Sequence, residues 1–70
     1  MDFVVPGANG ACDAYECKWN PDAFETRGLV AFRAIYPMGQ NFLVSPIVGE
    51  PYDRRVGGLV VTVIHPARIG

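Results

Sequence analysis

The residues best suited to chemistry are Cys12, Cys17 and His65, the only cysteines and the only histidine of the 70-residue chain. A structural zinc ion needs four ligands, usually Cys or His, so a carboxylate would have to complete this set. The C-x4-C spacing also differs from the C-x2-C spacing of common zinc sites. A disulfide that closes this small loop is an alternative in an oxidising compartment. We expect two reduced cysteines that pack as small hydrophobic side chains, with no metal or cofactor.

A catalytic role for Cys17 would require a base to activate the thiol and a third group to orient that base. His65 is the only histidine that could serve as the base. One cysteine and one histidine in so short a chain are a weak signal, and we expect His65 to end a strand and form local hydrogen bonds. The sequence therefore predicts no catalytic residues and a protein that is not an enzyme.

The densest group of charges consists of Asp53, Arg54 and Arg55, with Glu50 close by in the sequence. Guanidinium groups match phosphate and carboxylate groups, so an anion site is one interpretation. A solvated loop with internal ion pairs is a simpler one, and each such pair would contribute little. A contact between subunits is a third, because Arg is enriched at protein interfaces. We take Glu50, Asp53, Arg54 and Arg55 as candidate interface residues.

The charge balance argues against several classes of partner. Seven acidic residues against six basic ones give a formal net charge of −1. Nucleic-acid-binding modules usually carry an excess of basic residues, so we expect no nucleic-acid partner. The aromatic side chains of Trp19, Phe32, Tyr36 and Phe42 are accordingly expected in the core. No apolar run is long enough to cross a membrane, and the first residues lack the basic region of a secretory signal.

The elements that would position these residues are mainly strands. Nine Val, four Ile and two Thr favour β-structure, and eight Gly and six Pro interrupt the chain at short intervals. We predict one domain over residues 1–70 with a mainly β fold. Its form would be a small barrel or sandwich of four to five short strands. The sequence also allows one short helix near residues 21–27, with Asn20 as its N-cap.

Strands are predicted over residues 3–5, 15–19, 29–36, 42–48 and 59–65. The segments 29–36 and 59–65 are apolar on both faces, which is typical of a central strand or a subunit interface. Pro46 lacks an N–H group, which places the strand over 42–48 at an edge or at a bulge. The polar residues 50–58 are predicted to form an exposed loop.

Alternation over residues 15–19 directs Tyr15, Cys17 and Trp19 to the core and Glu16 and Lys18 to water. A helix over residues 11–19 is the competing interpretation of this segment.

A small, apolar and nearly neutral chain indicates that some apolar surface remains after folding and is buried against a protein partner. We therefore expect a non-enzymatic structural or interaction protein of a larger assembly, and a homo-oligomer. The most concrete version is a small virion component, such as a capsid decoration, cement or connector subunit. The alternatives are a small accessory subunit of an enzyme complex and a metal- or redox-binding module that uses Cys12, Cys17 and His65.

Overall fold

The computed structural model describes residues 2–69 and confirms the mainly β fold class. Its strands are β1 (Phe3–Pro6), β2 (Cys12–Cys17), β3 (Asn41–Val44), β4 (Tyr52–Val56) and β5 (Leu59–Ile64), and its helix is α1 (Arg27–Ile35). Three single-turn 3-10 helices, Ala8–Gly10, Pro21–Ala23 and Pro66–Arg68, lie in the connections. No helix among residues 2–69 is long and apolar enough to span a lipid bilayer.

The five strands form one mixed sheet in the order β1-β2-β3-β5-β4. The inner pairs β2–β3 and β3–β5 are parallel, whereas the outer pairs β1–β2 and β4–β5 are antiparallel. Helix α1 connects β2 to β3, because parallel neighbours need a crossover connection. The helix covers one face of the sheet and so takes the place that a second sheet would have in the sandwich suggested by the sequence.

The core lies between the sheet and α1. Leu43 of β3 and Val61 and Val63 of β5 are fully buried there and pack with Leu29 of the helix. The predicted strand over residues 59–65 is thus confirmed as β5, an inner strand. The whole cluster also contains two buried residues from β2 and from the segment after β3, Ala14 and Val48.

The strand predicted over residues 29–36 is wrong, because this segment forms most of α1. Leu29 and Arg33 are one helical turn apart, so both face the sheet, and both are buried. A segment that is apolar on both faces fits a buried strand and a short helix equally well, and packing against the sheet decides between them. The short helix allowed near residues 21–27 is a single 3-10 turn, Pro21–Ala23, whose cap Asn20 accepts a hydrogen bond from the backbone N–H of Asp22.

Two further predictions about strands need correction. The strand predicted over 42–48 ends at Val44, before Pro46, so β3 is an inner strand and loses no ladder hydrogen bond to the proline. The predicted loop over residues 50–58 contains β4, an edge strand. Gly57 and Gly58, at φ of 54° and 77°, form the two-residue turn that joins β4 to β5.

The segment predicted as a strand over residues 15–19 contributes to a strand rather than a helix, but β2 spans Cys12–Cys17 and its faces are the reverse of those predicted. Ala14 is buried on the side of α1, and Glu16 on the same side is half-buried. Tyr15 and Cys17 lie on the other face, and Trp19 is 74% exposed beyond the end of the strand. Alternation shows that a strand has two unlike faces, but the position of the helix decides which one is covered.

Candidate interaction surface

The face of the sheet opposite α1 carries apolar side chains that remain accessible to solvent. Phe3 and Val5 of β1 are 42% and 45% exposed, and Val60 of β5 is 43% exposed. Strand register places them on the same side as Tyr15, Phe42 and Thr62, which are half-buried. We call these six residues the uncovered face. Val44 and Ile64, nearer the carboxyl ends of β3 and β5, are buried and do not belong to it.

Three aromatic rings form a row across the uncovered face. Register pairs Phe3 with Tyr15 and Tyr15 with Phe42, on three adjacent strands. The ring centroids are 4.7 and 4.9 Å apart, and the ring planes differ by 7° and 19°. Both faces of the Tyr15 ring are therefore covered by its neighbours, and the row turns ring edges to solvent. The Tyr15 ring therefore offers no free face on which a nucleotide base could stack.

A polar rim borders the row on the side of β4. Asp53 pairs with Thr62 and Arg55 pairs with Val60, so both charged residues share the uncovered face. The Thr62 hydroxyl donates a hydrogen bond of 2.8 Å to Asp53 Oδ1. An apolar centre beside a charged, solvated rim is the usual composition of a protein–protein interface.

The four candidate interface residues do not form one patch. Asp53 and Arg55 lie on the rim, but Arg54 points to the side of α1, where its Nη1 donates a 2.9 Å hydrogen bond to the carbonyl of Pro21. Glu50 Oε2 lies 3.6 Å from Arg68 Nη2 in an exposed ion pair. The separation follows from strand geometry, because successive side chains of β4 point to opposite faces.

The structure also separates the residues of the alternative metal or redox site. Cys12 and Cys17 stand at opposite ends of β2, about 16 Å apart along a strand and on opposite faces, which is too far for a disulfide. Both thiols are free. His65 accepts a hydrogen bond from the backbone N–H of Ala67 through Nδ1. Among residues 2–69, no three His, Cys, Asp or Glu side chains come together as a metal site.

The surroundings of Cys17 oppose a nucleophilic role. Partial burial raises the pKa of its thiol, and the carboxylate of Asp2 raises it further. Asp2 is held in place because its Oδ2 accepts a 2.6 Å hydrogen bond from the backbone N–H of Cys17. A thiol with a raised pKa stays protonated at neutral pH, whereas reactive cysteines are thiolates.

Arg33, which is only 6% exposed, forms the centre of a polar cluster that no sequence pattern indicated. Its Nε donates to the side chain of Asn41 at 2.7 Å. Its two terminal nitrogens donate to four backbone carbonyls at 2.8–3.1 Å, those of Cys12, Tyr36, Met38 and Gln40. The guanidinium group thereby joins the end of α1 and the loop before β3 to the start of β2. This contact fixes β2 beside β3 and so supports the pairing of Tyr15 with Phe42.

Gly39 is needed where this loop passes β2. Its φ is 129°, and a Cβ atom there would clash with the carbonyl group of Cys12. Only glycine tolerates both the backbone conformation and the close approach. In the sequence, the Pro37-Met38-Gly39 segment correctly indicated that the preceding element ends there. It did not indicate the contact with Cys12.

No known family model, curated protein or solved structure matches this chain.

Proposed function

We propose that this chain is a non-enzymatic structural and interaction protein that works inside a larger protein assembly, and that it docks through the uncovered face. A small virion component, such as a capsid decoration, cement or connector subunit, is the most concrete form of the proposal. The observation that carries it is the aromatic row of Phe3, Tyr15 and Phe42, which occupies a sheet face that α1 does not cover.

Exposed apolar side chains would supply the free energy of docking. Burying the exposed parts of Phe3, Val5 and Val60 against a partner would contribute on the order of 5 kcal/mol. The rings are already stacked on one another, so docking need order few further side chains at this site. A formal net charge of −1 adds little repulsion between two copies, which supports a homo-oligomer.

Sedimentation velocity from micromolar to millimolar concentration tests this proposal. We expect the wild-type chain to form oligomers larger than a dimer. Val60→Lys places a charge on the uncovered face beside the rim residue Arg55, and the variant should form smaller species because that face can no longer be dehydrated without burying an ammonium group. Val60 is already exposed to solvent, so the fold should persist in circular dichroism.

Ile35→Lys is the matched control, because Ile35 is 70% exposed and lies on α1, on the other side of the sheet. It introduces the same charge and removes a similar side chain, and its oligomers should resemble those of the wild type. Equal sizes for the wild type and Val60→Lys, or equal losses in the two variants, would contradict docking through the uncovered face.

A further inference from the structure

We propose that two copies of this chain pair through strand β1, antiparallel and about a twofold axis at Val4, so that their five-stranded sheets join into one of ten strands. The inference rests on the proposed function and names the first partner as a second copy. Three features support it: the backbone N–H and C=O of β1 that point away from the sheet, the uncharged side chains of that strand, and the larger uncovered face that pairing creates.

The backbone of β1 offers polar groups at the sheet edge. The N–H of Gly7 donates to the carbonyl of Ala11, and register pairs Val5 with Asp13 and Phe3 with Tyr15. Because hydrogen-bonded pairs alternate along antiparallel strands, residues 3, 5 and 7 turn their polar groups toward β2. Val4 therefore directs its N–H and C=O away from the sheet, and no strand lies beyond it within residues 2–69.

The side chains of β1 are complementary to a second copy. Around an axis at Val4, the N–H and C=O of the two Val4 residues bond each other, and each Phe3 lies beside Val5 of the second copy. All four residues of β1 are exposed and none is charged. The carboxylate of Asp2 is turned back onto the backbone of Cys17. No like charges would therefore face each other in this pairing.

The pairing would close at two copies. Around an axis at Val4, Pro6 lies opposite Asp2 of the second copy. Pro6 has no N–H group and the N–H of Asp2 donates to the carbonyl of Tyr15, so the new ladder is limited to the Val4 pair. The other edge of the sheet, β4, carries Asp53, Arg54 and Arg55, and charged side chains protect an edge from strand addition. With one open edge per chain, pairing is isologous and gives a dimer rather than a fibre.

Pairing through β1 also enlarges the uncovered face. Five strands of four to six residues span a face of about 400 Å² in projection. Two copies joined through β1 present about 800 Å², with two aromatic rows on the same side. The paired sheet thereby supplies the docking surface that the proposed function requires.

Sedimentation of Val60→Lys with and without Val4→Pro tests pairing through β1 separately from docking through the uncovered face. Val60→Lys alone should still dimerise, because β1 is intact. Adding Val4→Pro removes the N–H at the axis without removing a hydrogen bond within the chain, since edge strands tolerate proline where the N–H faces solvent. The double variant should be a folded monomer.

Val60→Lys with Arg55→Pro is the control for a proline on an edge strand. The two-residue turn makes Val56 and Leu59 a hydrogen-bonded pair, so the N–H of Arg55 also faces outward. This variant should keep the dimer.

Amide exchange of the Val4 N–H in Val60→Lys gives a second measurement that does not depend on the proline variants folding. The exchange should slow about fivefold when the total chain concentration is about ten times the dissociation constant, while the Val5 N–H, which faces β2, stays protected at all concentrations. Three results would overturn pairing through β1. Val60→Lys could be monomeric at millimolar concentration, or its dimer could persist after Val4→Pro is added. The exchange rate of the Val4 N–H could also be independent of concentration. In each of these cases, comparing the oligomer sizes of Val60→Lys and the wild type would still test docking through the uncovered face independently.

Discussion

Arg33 donates all its guanidinium N–H groups to neutral acceptors, four of which are backbone carbonyls. A planar group with five donors in fixed directions can satisfy this arrangement, and an ammonium group with three donors cannot. We predict that Arg33→Lys lowers the free energy of unfolding by about 2–3 kcal/mol, since at least two partly buried carbonyls lose their partners. Urea denaturation followed by circular dichroism measures this difference.

Arg27→Lys provides the control for the Arg33 prediction. Arg27 is the first residue of α1 and is exposed, so its replacement should change the free energy of unfolding by less than about 0.5 kcal/mol. Equal denaturation midpoints for the two variants would show that the hydrogen bonds of Arg33 do not stabilise the fold.

Single residues were the scale at which the sequence was least informative. The acceptors around Arg33 are mostly carbonyl groups, which every residue carries, so no residue type marks the site. Cys12 and Cys17 are distinctive in type, but a six-residue strand places them at its two ends and on opposite faces. The row of Phe3, Tyr15 and Phe42 depends on the register of three strands that are far apart in the sequence.

Elements were easier to predict where β-branched residues dominated. The β-branched run of β5 was identified, as were β1 and the second half of β2. The segment that forms α1 was taken for a strand, because its apolar residues fit both periods. Arg33 breaks the strand pattern, yet in a helix it lies one turn from Leu29 on the side that faces the sheet. Packing against β3 and β5 overrides the strand propensity of this segment.

The two arginines of β4 point to opposite faces of the sheet, so their replacement should have different effects on stability and assembly. Arg54 supports the fold through its hydrogen bond to Pro21, and we predict that Arg54→Ala lowers the free energy of unfolding by about 1 kcal/mol without changing oligomer size. Arg55 is exposed on the rim of the uncovered face, so Arg55→Ala should leave stability unchanged and reduce the salt dependence of assembly.

Thermal unfolding and sedimentation at two salt concentrations distinguish these two outcomes. If the effects of Arg54→Ala and Arg55→Ala were exchanged, the side chains of β4 would have to face the opposite way from the register described above.

The whole molecule combines a small core with a large apolar exterior. Among residues 2–69, twelve large hydrophobic side chains are exposed, more than the eight hydrophobic residues that are buried. Composition alone indicates this excess, because half of the 70 residues are hydrophobic and so short a chain has little interior. Composition does not indicate where the excess lies. Of the twelve, four lie on β1 or the uncovered face, and the other eight lie on α1, on β4 and in the segments between and after the elements.

Assembly should consequently make thermal stability depend on protein concentration. A partner that binds only the folded chain stabilises it by mass action, and a chain of this size has a small unfolding enthalpy. We predict that the unfolding temperature of the wild type rises by on the order of 10 °C over a hundredfold increase in concentration. Calorimetry or circular dichroism at matched heating rates measures this shift. The Val60→Lys/Val4→Pro variant should unfold at one temperature throughout, because both proposed contacts are absent. A wild-type unfolding temperature that is independent of concentration would mean that the folded chain is stable as a monomer and that its apolar face contributes nothing to stability.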